Sequence, residues 1–540
     1  MVSCPDSLTH LGCGGLGRED DISRPGNGFS FGPHVHDIEF AEKGRRNDYY
    51  GDGSDDVKEP VPKVKETCPS DMDRFLVLFE ENDPENPFNW SGTRRWFISA
   101  VAAFLIFNAT FASSLPAGVL QQMETHFNFS GEVGALVLSL FVLGFAVGPI
   151  LWGPLSEHYG RRPISLYSFP LFIGTQIGCA LSPNTASILI FRFLGGVFSA
   201  ASLTNSGGIM SDIFDGSARG RALAGFTLAP FAGPSMAPLV SGWMNVAGVS
   251  WRWVFWLQTI VAGAALILVV FALPETFKPI LLVRKAERRR KQTGDGRWWA
   301  PLEKQRVSFL RRVKDIVTRP FQMLVGEPML LAITLYMSFV YGVIYLLFEA
   351  YPIVFTIGHH FNSGVSGLMF LPIPIGGTVA CVLYVVYFDP IYQVAVKEHH
   401  PHHPPPEHRL HNSLYASLIL PIAFFWFAWT SYPSVSFWAP MMAGFPLGMG
   451  TVLLYLGLFN YIIDTYLASA ASALAATVIV RSFFGAGFPL FANQMYDKLS
   501  PRWASTLLAF ISVVMAPIPF VLRKYGPALR RRSRTRINDV

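Results

Sequence analysis

The chain has 540 residues, of which 51% are hydrophobic and 15% are charged. An average soluble domain carries about 25% charged residues, so a chain this apolar is not expected to fold as several soluble domains. The composition also excludes a disordered chain and a small disulfide-stabilised secreted domain. The net charge of +6 could indicate a nucleic-acid partner, and the positions of the basic residues decide between that interpretation and others.

Residues 1–95 form a first segment that is polar and rich in Gly, Pro, Asp and Glu. Such a composition cannot bury enough apolar surface to fold by itself, so we expect a mostly disordered cytosolic arm. No cleavable signal peptide is predicted, because the first apolar run begins at Trp96. The five cysteines are expected to remain free thiols.

Twelve apolar segments follow the arm, each long enough to cross a hydrocarbon core of about 30 Å. Six lie within 96–273 and six within 327–522, and a basic segment, 274–326, separates the two groups. The sequence therefore predicts an all-α membrane protein built from two bundles of six transmembrane helices. The predicted spans are 96–118, 134–154, 163–182, 187–209, 221–243, 252–273, 327–356, 364–388, 411–430, 437–462, 469–494 and 503–522.

Lysine and arginine concentrate in the central segment, in the basic tail 523–540 and in alternate connections between spans. By the positive-inside rule, we expect both termini and the central loop to be cytosolic. The basic surplus then reflects topology and contact with anionic lipid, so no nucleic-acid partner is expected. The loops of the opposite side that contain neither Lys nor Arg are 119–133, 183–186, 357–363 and 431–436.

The segment GPLSEHYGRRP at 153–163 joins the second and third spans. An acid at a helix end, a glycine turn and two arginines can form charged contacts that hold one conformation closed, and the alternative is an arginine pair that only sets topology. Acids stand at comparable positions in both halves, as expected for a transporter with repeated halves. The predicted cytosolic gate consists of Gly153, Glu157, Gly160, Arg161, Arg162, Asp212, Asp389 and Asp464.

Small residues recur every four positions in the fifth span, so another helix can approach one of its faces closely. Pro234 and Pro238 lie on the adjacent face and remove two backbone donors, which favours bending. Close packing and a bend point between moving bundles are both consistent with this pattern. The residues that carry the functional interpretation are Gly233, Pro234, Pro238 and Gly242.

Ionisable residues inside spans are costly and mark functional sites. We expect Arg192 and Glu349 in the outer half of the membrane, with Glu349 binding and releasing a proton and Arg192 ordering the site or tuning the acid. The alternative is a static ion pair or a glutamate at the level of the lipid headgroups. Polar residues proposed for a substrate cavity, each of which could instead be a packed hydrogen-bonded residue, are Asn108, Asn205, Tyr341, Tyr345 and Asn460.

Other patterns in the sequence concern candidate metal-binding, catalytic and modification sites. The His-rich stretch 397–411 could bind a metal, but its prolines favour a low-complexity loop, and no metal site is expected. Neither a P-loop nor an HExxH motif is present, which argues against ATP hydrolysis and zinc protease chemistry. Asn128 begins a glycosylation sequon in the first outer loop.

GPLSEHYGRRP, FRFLGG at 191–196 and GPSMAPLVSG at 233–242 resemble three motifs of the major facilitator superfamily. Longer stretches, such as DPENPFNWS at 83–91 and WRWVFW at 251–256, are similar to the fungal twelve-span drug:proton antiporter-1 family. The resemblance covers about 75–525. It implies the major facilitator fold, a cytosolic gate that uses Glu157, Arg161 and Arg162, and a role for Arg192 in proton transfer.

From this resemblance we predict a proton-coupled antiporter, and not an enzyme, that exports small and mostly hydrophobic organic compounds such as drugs, toxins or fungal secondary metabolites. The alternative is a facilitator or importer of a small polar nutrient or a polyamine. We expect a monomer in the bilayer of the plasma membrane, with the vacuolar membrane as the alternative. No cofactor is expected, and the proton gradient would supply the energy.

Overall fold

A computed structural model describes residues 75–214, 216–304, 309–399, 404–466 and 469–531, without the side chains of 216–219 and 309–317. Most of the predicted disordered arm, residues 1–74, and the end of the basic tail, residues 532–540, lie outside the described residues. We number the longer helices α1 to α14 in chain order.

The first half of the described chain contains six long helices. Capping side chains mark two of their starts: Ser91 accepts the Arg94 N–H at the beginning of the first helix, and Asn184 accepts the Ser187 N–H at the beginning of the fourth. Each helix has at least 20 residues, which at 1.5 Å per residue spans a hydrocarbon core of about 30 Å. The helices are α1 (Gly92–Ser114), α2 (Gly131–Tyr159), α3 (Arg161–Ala180), α4 (Thr185–Ile213), α5 (Gly216–Val246) and α6 (Arg252–Ala272).

The central basic segment contains α7 (Lys278–Thr293) and α8 (Phe309–Gly326). Residues 75–90, which we call the arm segment, lie against α7 although the arm as a whole is predicted to be mostly disordered. The Val77 N–H donates to the Trp299 carbonyl at 2.9 Å, and an apolar cluster lies beneath this contact. Ion pairs between the arm segment and α7 are Asp83–Lys285, Glu85–Arg288 and Glu80–Arg289.

Asp83 carries the most buried of these contacts. Burial by itself raises the pKa of the Asp83 carboxyl, but the hydrogen bond and charge of Lys285 and the backbone N–H of Glu85 outweigh it. The pKa of Asp83 therefore lies below its ordinary value of 3.8. The arm segment is thus attached to α7 by contacts that need an ionised carboxylate.

The second half begins with α9 and ends with a helical stretch of 62 residues, Ala470–Arg531. A helix of that length would extend about 90 Å, roughly three times the hydrocarbon thickness. The stretch breaks at Ser500, where φ is 62° and ψ is 157°, directly before Pro501. It therefore supplies two spans. The helices are α9 (Pro328–Tyr351), α10 (Pro372–Leu383), α11 (His411–Thr430), α12 (Gly444–Tyr466), α13 (Ala470–Met515) and α14 (Pro517–Arg531).

Ten helical stretches of the described chain are long and apolar enough to cross a membrane. The last of them contains two spans, as the break at Ser500 shows. α3 adds a further one, because it packs against α4 and α6, although polar side chains such as Thr175 and Gln176 lower its hydropathy. The predicted architecture of twelve spans is confirmed.

The two halves meet along two pairs of elements. α2 packs against α13, and α5 packs against α10 and the short helix Ser363–Leu368 that precedes it. Glycine permits this approach, because a Cβ at Gly367 would lie 2.6 Å from the Pro238 carbonyl oxygen. We call the end of the molecule that carries Arg161 and α7 the basic end, and the other the opposite end.

Candidate functional site

Buried polar side chains connect the two bundles between α1 and α9. The Ser113 hydroxyl of α1 and the Tyr345 hydroxyl of α9 are 2.8 Å apart, and the Tyr341 hydroxyl donates to that of Tyr345 at 3.4 Å. The guanidinium of Arg481 lies 5.0 Å from the centre of the Tyr341 ring. Arg192 donates to the Ser113 carbonyl at 2.6 Å. We call these five residues the central cluster.

Arg192 is fully buried and binds backbone carbonyls. Its Nε donates to Val137 O and its Nη1 to Ala112 O, both at 2.8 Å. Ala112 and Ser113 lie in the last turn of α1, where carbonyls lack partners within the helix. The face of Phe141 lies 4.2 Å from the guanidinium carbon. Arg192 therefore links α4 to α1 and α2, and its role in ordering the site stays a prediction.

Glu349 lies one helical turn beyond Tyr345 on α9 and is 9% exposed. Its Oε2 accepts a hydrogen bond from Asn493 of α13 at 3.1 Å, while its Oε1 has no partner within the described ranges. The donors of Arg192 go to carbonyls of α1 and α2, so the alternative of a static ion pair between these two residues is not what the structure shows. Glu349 is a buried acid next to the central cluster.

The glycine turn between α2 and α3 is bound by a carboxylate at the basic end. Gly160 has φ 99° and ψ 167°, a conformation open to glycine and to few other residues. Glu275 accepts the N–H groups of Arg161 at 2.9 Å and Arg162 at 3.3 Å, which satisfies donors at the start of α3. The Arg161 side chain pairs with Asp212 of α4 at 3.4 Å.

Sequence reasoning missed Glu275. The available signal is an acid at the end of the sixth span, in the stretch LPETF at 273–277. Of the other predicted gate residues, Gly153 accepts a hydrogen bond from Ser156 at 2.9 Å, and Glu157 is half-buried in the last turn of α2. Arg162 donates through Nη2 to Val270 O of α6 at 2.8 Å. These contacts all lie within the first bundle.

The acids predicted for the second half also have arginine partners. Asp464 accepts Arg409 Nε at 2.7 Å, and the Arg409 guanidinium carbon lies 3.4 Å from the centre of the Tyr392 ring. Asp389 pairs with Arg221 of α5 at 3.5 Å, which joins the bundles. Arg409 was missed because it lies in the His-rich stretch that was interpreted as low complexity.

The fifth-span motif packs α5 against α1 and against the second bundle. Pro238 has no N–H, so the Pro234 carbonyl lacks its helical donor, and the Ser114 hydroxyl donates to it at 3.0 Å. A Cβ at Gly233 would lie 2.8 Å from the Phe111 nitrogen, and one at Gly242 would collide with the Ser363 backbone. Close packing is therefore observed, and bending of α5 during transport stays a prediction.

Three of the predicted cavity residues make their hydrogen bonds within one bundle. Asn108 of α1 bonds to Val261 O of α6 at 3.3 Å. Asn205 of α4 donates to Arg161 O of α3 at 3.4 Å, and Asn460 donates to Leu456 O of its own helix at 2.8 Å. Of the predicted cavity residues, Tyr345 bonds across to the other bundle through Ser113, and Tyr341 bonds to Tyr345 within α9.

The bundles are also joined at the opposite end. Gln494 of α13 donates to Glu132 of α2 at 2.8 Å, and Asn245 of α5 donates to Ser363 Oγ at 2.8 Å. Together with the Arg221 ion pair at the basic end, these contacts enclose the central cluster from both sides.

Two further predictions concern the periphery. Asn128 is exposed and ends the helix Leu120–Phe127 in the left-handed conformation, with φ 54°, a position that favours asparagine whether or not it carries a glycan. In the His-rich stretch, His400, His402 and His403 lie outside the described residues. Among the residues that are described, no group of three or more His, Cys, Asp or Glu side chains could hold a metal ion.

Residues 102–489 match the model of the Major Facilitator Superfamily. The chain belongs to the major facilitator superfamily. It is therefore a multi-pass membrane transporter of small molecules and not an enzyme.

Curated relatives of this superfamily member come from fungi. The multidrug transporter mdrA of Aspergillus fumigatus is 41% identical over 464 residues, which cover 86% of this chain and 76% of the relative. The citrinin biosynthesis cluster transporter mrr1 of Monascus ruber is 38% identical over 86% of this chain and 93% of its own length. The efflux pump MFS2 of Trichophyton rubrum is 37% identical, over 86% of this chain and 78% of its own length.

Among solved structures, the proton:xylose symporter XylE bound to a glucose derivative aligns with a TM-score of 0.58. The alignment covers 81% of this chain and 97% of the symporter at 15% sequence identity. A likeness at this identity supports the major facilitator fold, which agrees with the two bundles seen here.

Proposed function

We propose that this transporter exports small, mostly hydrophobic organic compounds in exchange for protons. The observation that carries the proposal is the placement of Glu349, a buried acid one turn from Tyr345, whose hydroxyl bonds across the bundles. Alternating access would open either the basic end or the opposite end to the central cluster.

Aromatic rings surround the central cluster and support an apolar substrate. Phe348 contacts Tyr345 with ring centres 5.5 Å apart, and Phe231 of α5 contacts Tyr455 of α12 at 4.8 Å. Such surfaces suit planar organic molecules, with a few hydroxyl groups to orient them. The relatives named as multidrug transporter, efflux pump and biosynthesis cluster transporter point to the same substrate class and to export.

Glu349 supports coupling to protons. Acids inside membrane helices mark proton relays, and this one lies at the contact of α9 with α13. A proton that arrives from outside would neutralise Glu349 and weaken the hydrogen bond that its carboxylate accepts from the Asn493 amide. Release of that proton toward the cytosol would restore the contact, so that substrate and proton pass the same region in turn.

The orientation follows from the distribution of basic residues. With the basic end in the cytosol, separation of Arg221 from Asp389 would admit the exported compound, while the contacts around Gly160 hold the first bundle together. Asn128 faces outward as a candidate glycosylation site. The plasma membrane is the proposed location, because a drug or a metabolite must leave the cell from there.

The test is dye efflux in yeast that lacks its own drug pumps. Cells are loaded with a fluorescent hydrophobic dye, its loss is followed, and a protonophore then collapses the gradient. The proposal predicts that efflux stops on collapse. In Glu349→Gln, efflux should lose its dependence on the gradient, whereas Glu398→Gln, the same change at an exposed position, should behave as wild type.

Two results would contradict the proposal. Efflux that persists after collapse would identify a facilitator, the alternative function. Unchanged gradient dependence in Glu349→Gln, at equal protein in the membrane, would place the proton on another residue.

A further inference from the structure

A groove lined by arginines lies at the basic end, between the start of α1, the start of α3, the end of α6 and α7. It consists of two adjoining cavities of about 420 Å³ and 300 Å³. Arg94, Arg162 and Pro274 line both of them. We call it the arginine groove, and it is separate from the central cluster.

The positive charge of the arginine groove exceeds the negative charge beside it. Of its two carboxylates, Glu85 is bound by Arg288 at 2.6 and 3.1 Å. Glu275 accepts two backbone N–H groups that follow the Gly160 turn and those of the two residues that follow Glu275 itself. The groove arginines that form no ion pair with any residue in the described ranges are Arg94, Arg162 and Arg284.

Arg162 points to an anionic ligand most directly. Its Nη2 is occupied by the Val270 carbonyl at 2.8 Å, but its Nε is buried and has no hydrogen-bond acceptor in the described part of the chain. A buried donor on a charged group without an acceptor costs free energy. An anionic oxygen in the groove would satisfy it with a charge-assisted hydrogen bond.

One wall of the groove is apolar and exposed. Phe97 of α1 and Phe271 of α6 line the larger cavity, and they are 52% and 84% exposed. Aromatic side chains at helix ends lie at the boundary between headgroups and hydrocarbon. A soluble anion would gain nothing from this wall, whereas a phospholipid would cover it with its acyl chains.

We propose that the arginine groove binds an anionic phospholipid. Its headgroup would contact Arg94, Arg162 and Arg284, and its acyl chains would run along Phe97 and Phe271. Basic clusters next to transmembrane helices recognise such lipids. Because Arg162 begins α3 beside the Gly160 turn, the bound lipid would tie α1, α3 and α7 together at the basic end.

The test compares lipids and variants by native mass spectrometry of the full-length protein in detergent. Phosphatidylserine and phosphatidylcholine with identical acyl chains are titrated separately. Removal of a guanidinium near an anionic group weakens binding roughly fivefold, so Arg94→Gln/Arg284→Gln should weaken phosphatidylserine binding about 30-fold. The control Arg523→Gln/Lys524→Gln removes the same charge from exposed positions at the basic end outside the groove and should have less than about a twofold effect.

The proposal is wrong if phosphatidylcholine binds as tightly as phosphatidylserine, or if the control variant loses as much affinity as the groove variant. Displacement of phosphatidylserine by millimolar inorganic phosphate would show that the groove recognises a free anion. Phe271→Ser tests the apolar wall, because it leaves all four arginines in place. It should weaken phosphatidylserine binding, and unchanged binding would contradict the assignment to a lipid.

Discussion

Replacing Gly160 with alanine should destabilise the basic end of the first bundle by about 2–5 kcal/mol. The backbone contributes about 1–3 kcal/mol of this, because a φ of 99° with a ψ of 167° belongs to a region used almost only by glycine. The new Cβ would also overlap the Glu275 carboxylate. Displacing that group weakens the N–H bonds at the start of α3, and hydrogen bonds to charged groups are worth about 1.5–3 kcal/mol each.

Thermal unfolding in one detergent, followed by loss of the monodisperse protein, measures the effect. Gly174→Ala is the matched control, because Gly174 lies within α3 and no atom lies within 4 Å of its added Cβ. Alanine in a helix interior is favoured over glycine by about 0.5–1 kcal/mol. Gly160→Ala should therefore unfold several degrees below wild type, and Gly174→Ala at or above it.

A double-mutant cycle separates the two contributions. In a Glu275→Ala background the overlap is gone, so Gly160→Ala should then cost only the backbone share of about 1–3 kcal/mol. Equal stability of Gly160→Ala and Gly174→Ala would refute the reasoning, because neither strain nor displacement of Glu275 would then exist.

Three further predictions concern the interface and the arm segment. Arg221→Gln removes an ion pair between the bundles worth about 1 kcal/mol or less at this exposure. The Cys381 thiol, which bonds across to α5, should then be exposed more often, so its labelling by maleimide should rise up to about fivefold. Unchanged labelling would show that the ion pair does not hold the bundles together. Tyr345→Phe should lower the free energy of unfolding by about 1 kcal/mol in a denaturation assay, because the Tyr345 hydroxyl is bonded across the interface. The control Tyr336→Phe removes a hydroxyl that has no partner among the described residues, so it should leave the free energy of unfolding unchanged. Because the pKa of Asp83 is lowered, its stabilisation of the docked arm segment is complete above the ordinary value of 3.8 and is lost as pH falls through the lowered pKa. Pepsin should therefore cut the arm segment faster as pH falls over that range. A cleavage rate that does not change with pH would contradict the pairing.

The spans were predictable because membrane crossing depends on the length and hydropathy of one continuous segment. Even the division of the last stretch was predicted, since Lys498, Pro501 and Arg502 interrupt the apolar run where the helix turns at Ser500. The docking of the arm segment was not predictable from composition, because it depends on pairing Asp83 with a lysine more than 200 positions away.

Some of the charged residues at the basic end could also be located from the sequence, and others could not. Asp212, Asp389 and Asp464 could be found because acids at helix ends are conspicuous in an apolar sequence. The pairing of Asp464 with Arg409 and the binding of the Gly160 turn by Glu275 depend on which helix ends lie side by side, and local spacing carries no such information. Glu275 in particular binds a turn 113 positions earlier in the chain.

The neighbours of the predicted cavity residues depend on how each helix is rotated about its axis. Tyr341 and Tyr345 were paired correctly because residues four apart share a helix face. Whether Asn108 or Asn205 faces the partner bundle or a neighbour depends on how α1 and α4 are rotated about their axes. That rotation is set by packing, and here it directs Asn205 to the α3 backbone.

At the basic end, the ion pairs within one bundle and the Arg221–Asp389 pair between the bundles differ in the exposure of their arginine side chains. Within bundles, Arg161 and Asp212 have side chains 11% and 13% exposed, and that of Arg409 is 4% exposed. Between bundles, the Arg221 side chain is 52% exposed, whereas that of its partner Asp389 is 5% exposed. A water-exposed pair contributes about 0–1 kcal/mol, whereas removing one partner of a buried pair costs about 3–5 kcal/mol. Because its arginine is half exposed, the Arg221–Asp389 pair is closer to the first of these limits than the pairs within bundles, and we propose that it separates while each bundle moves as a rigid body.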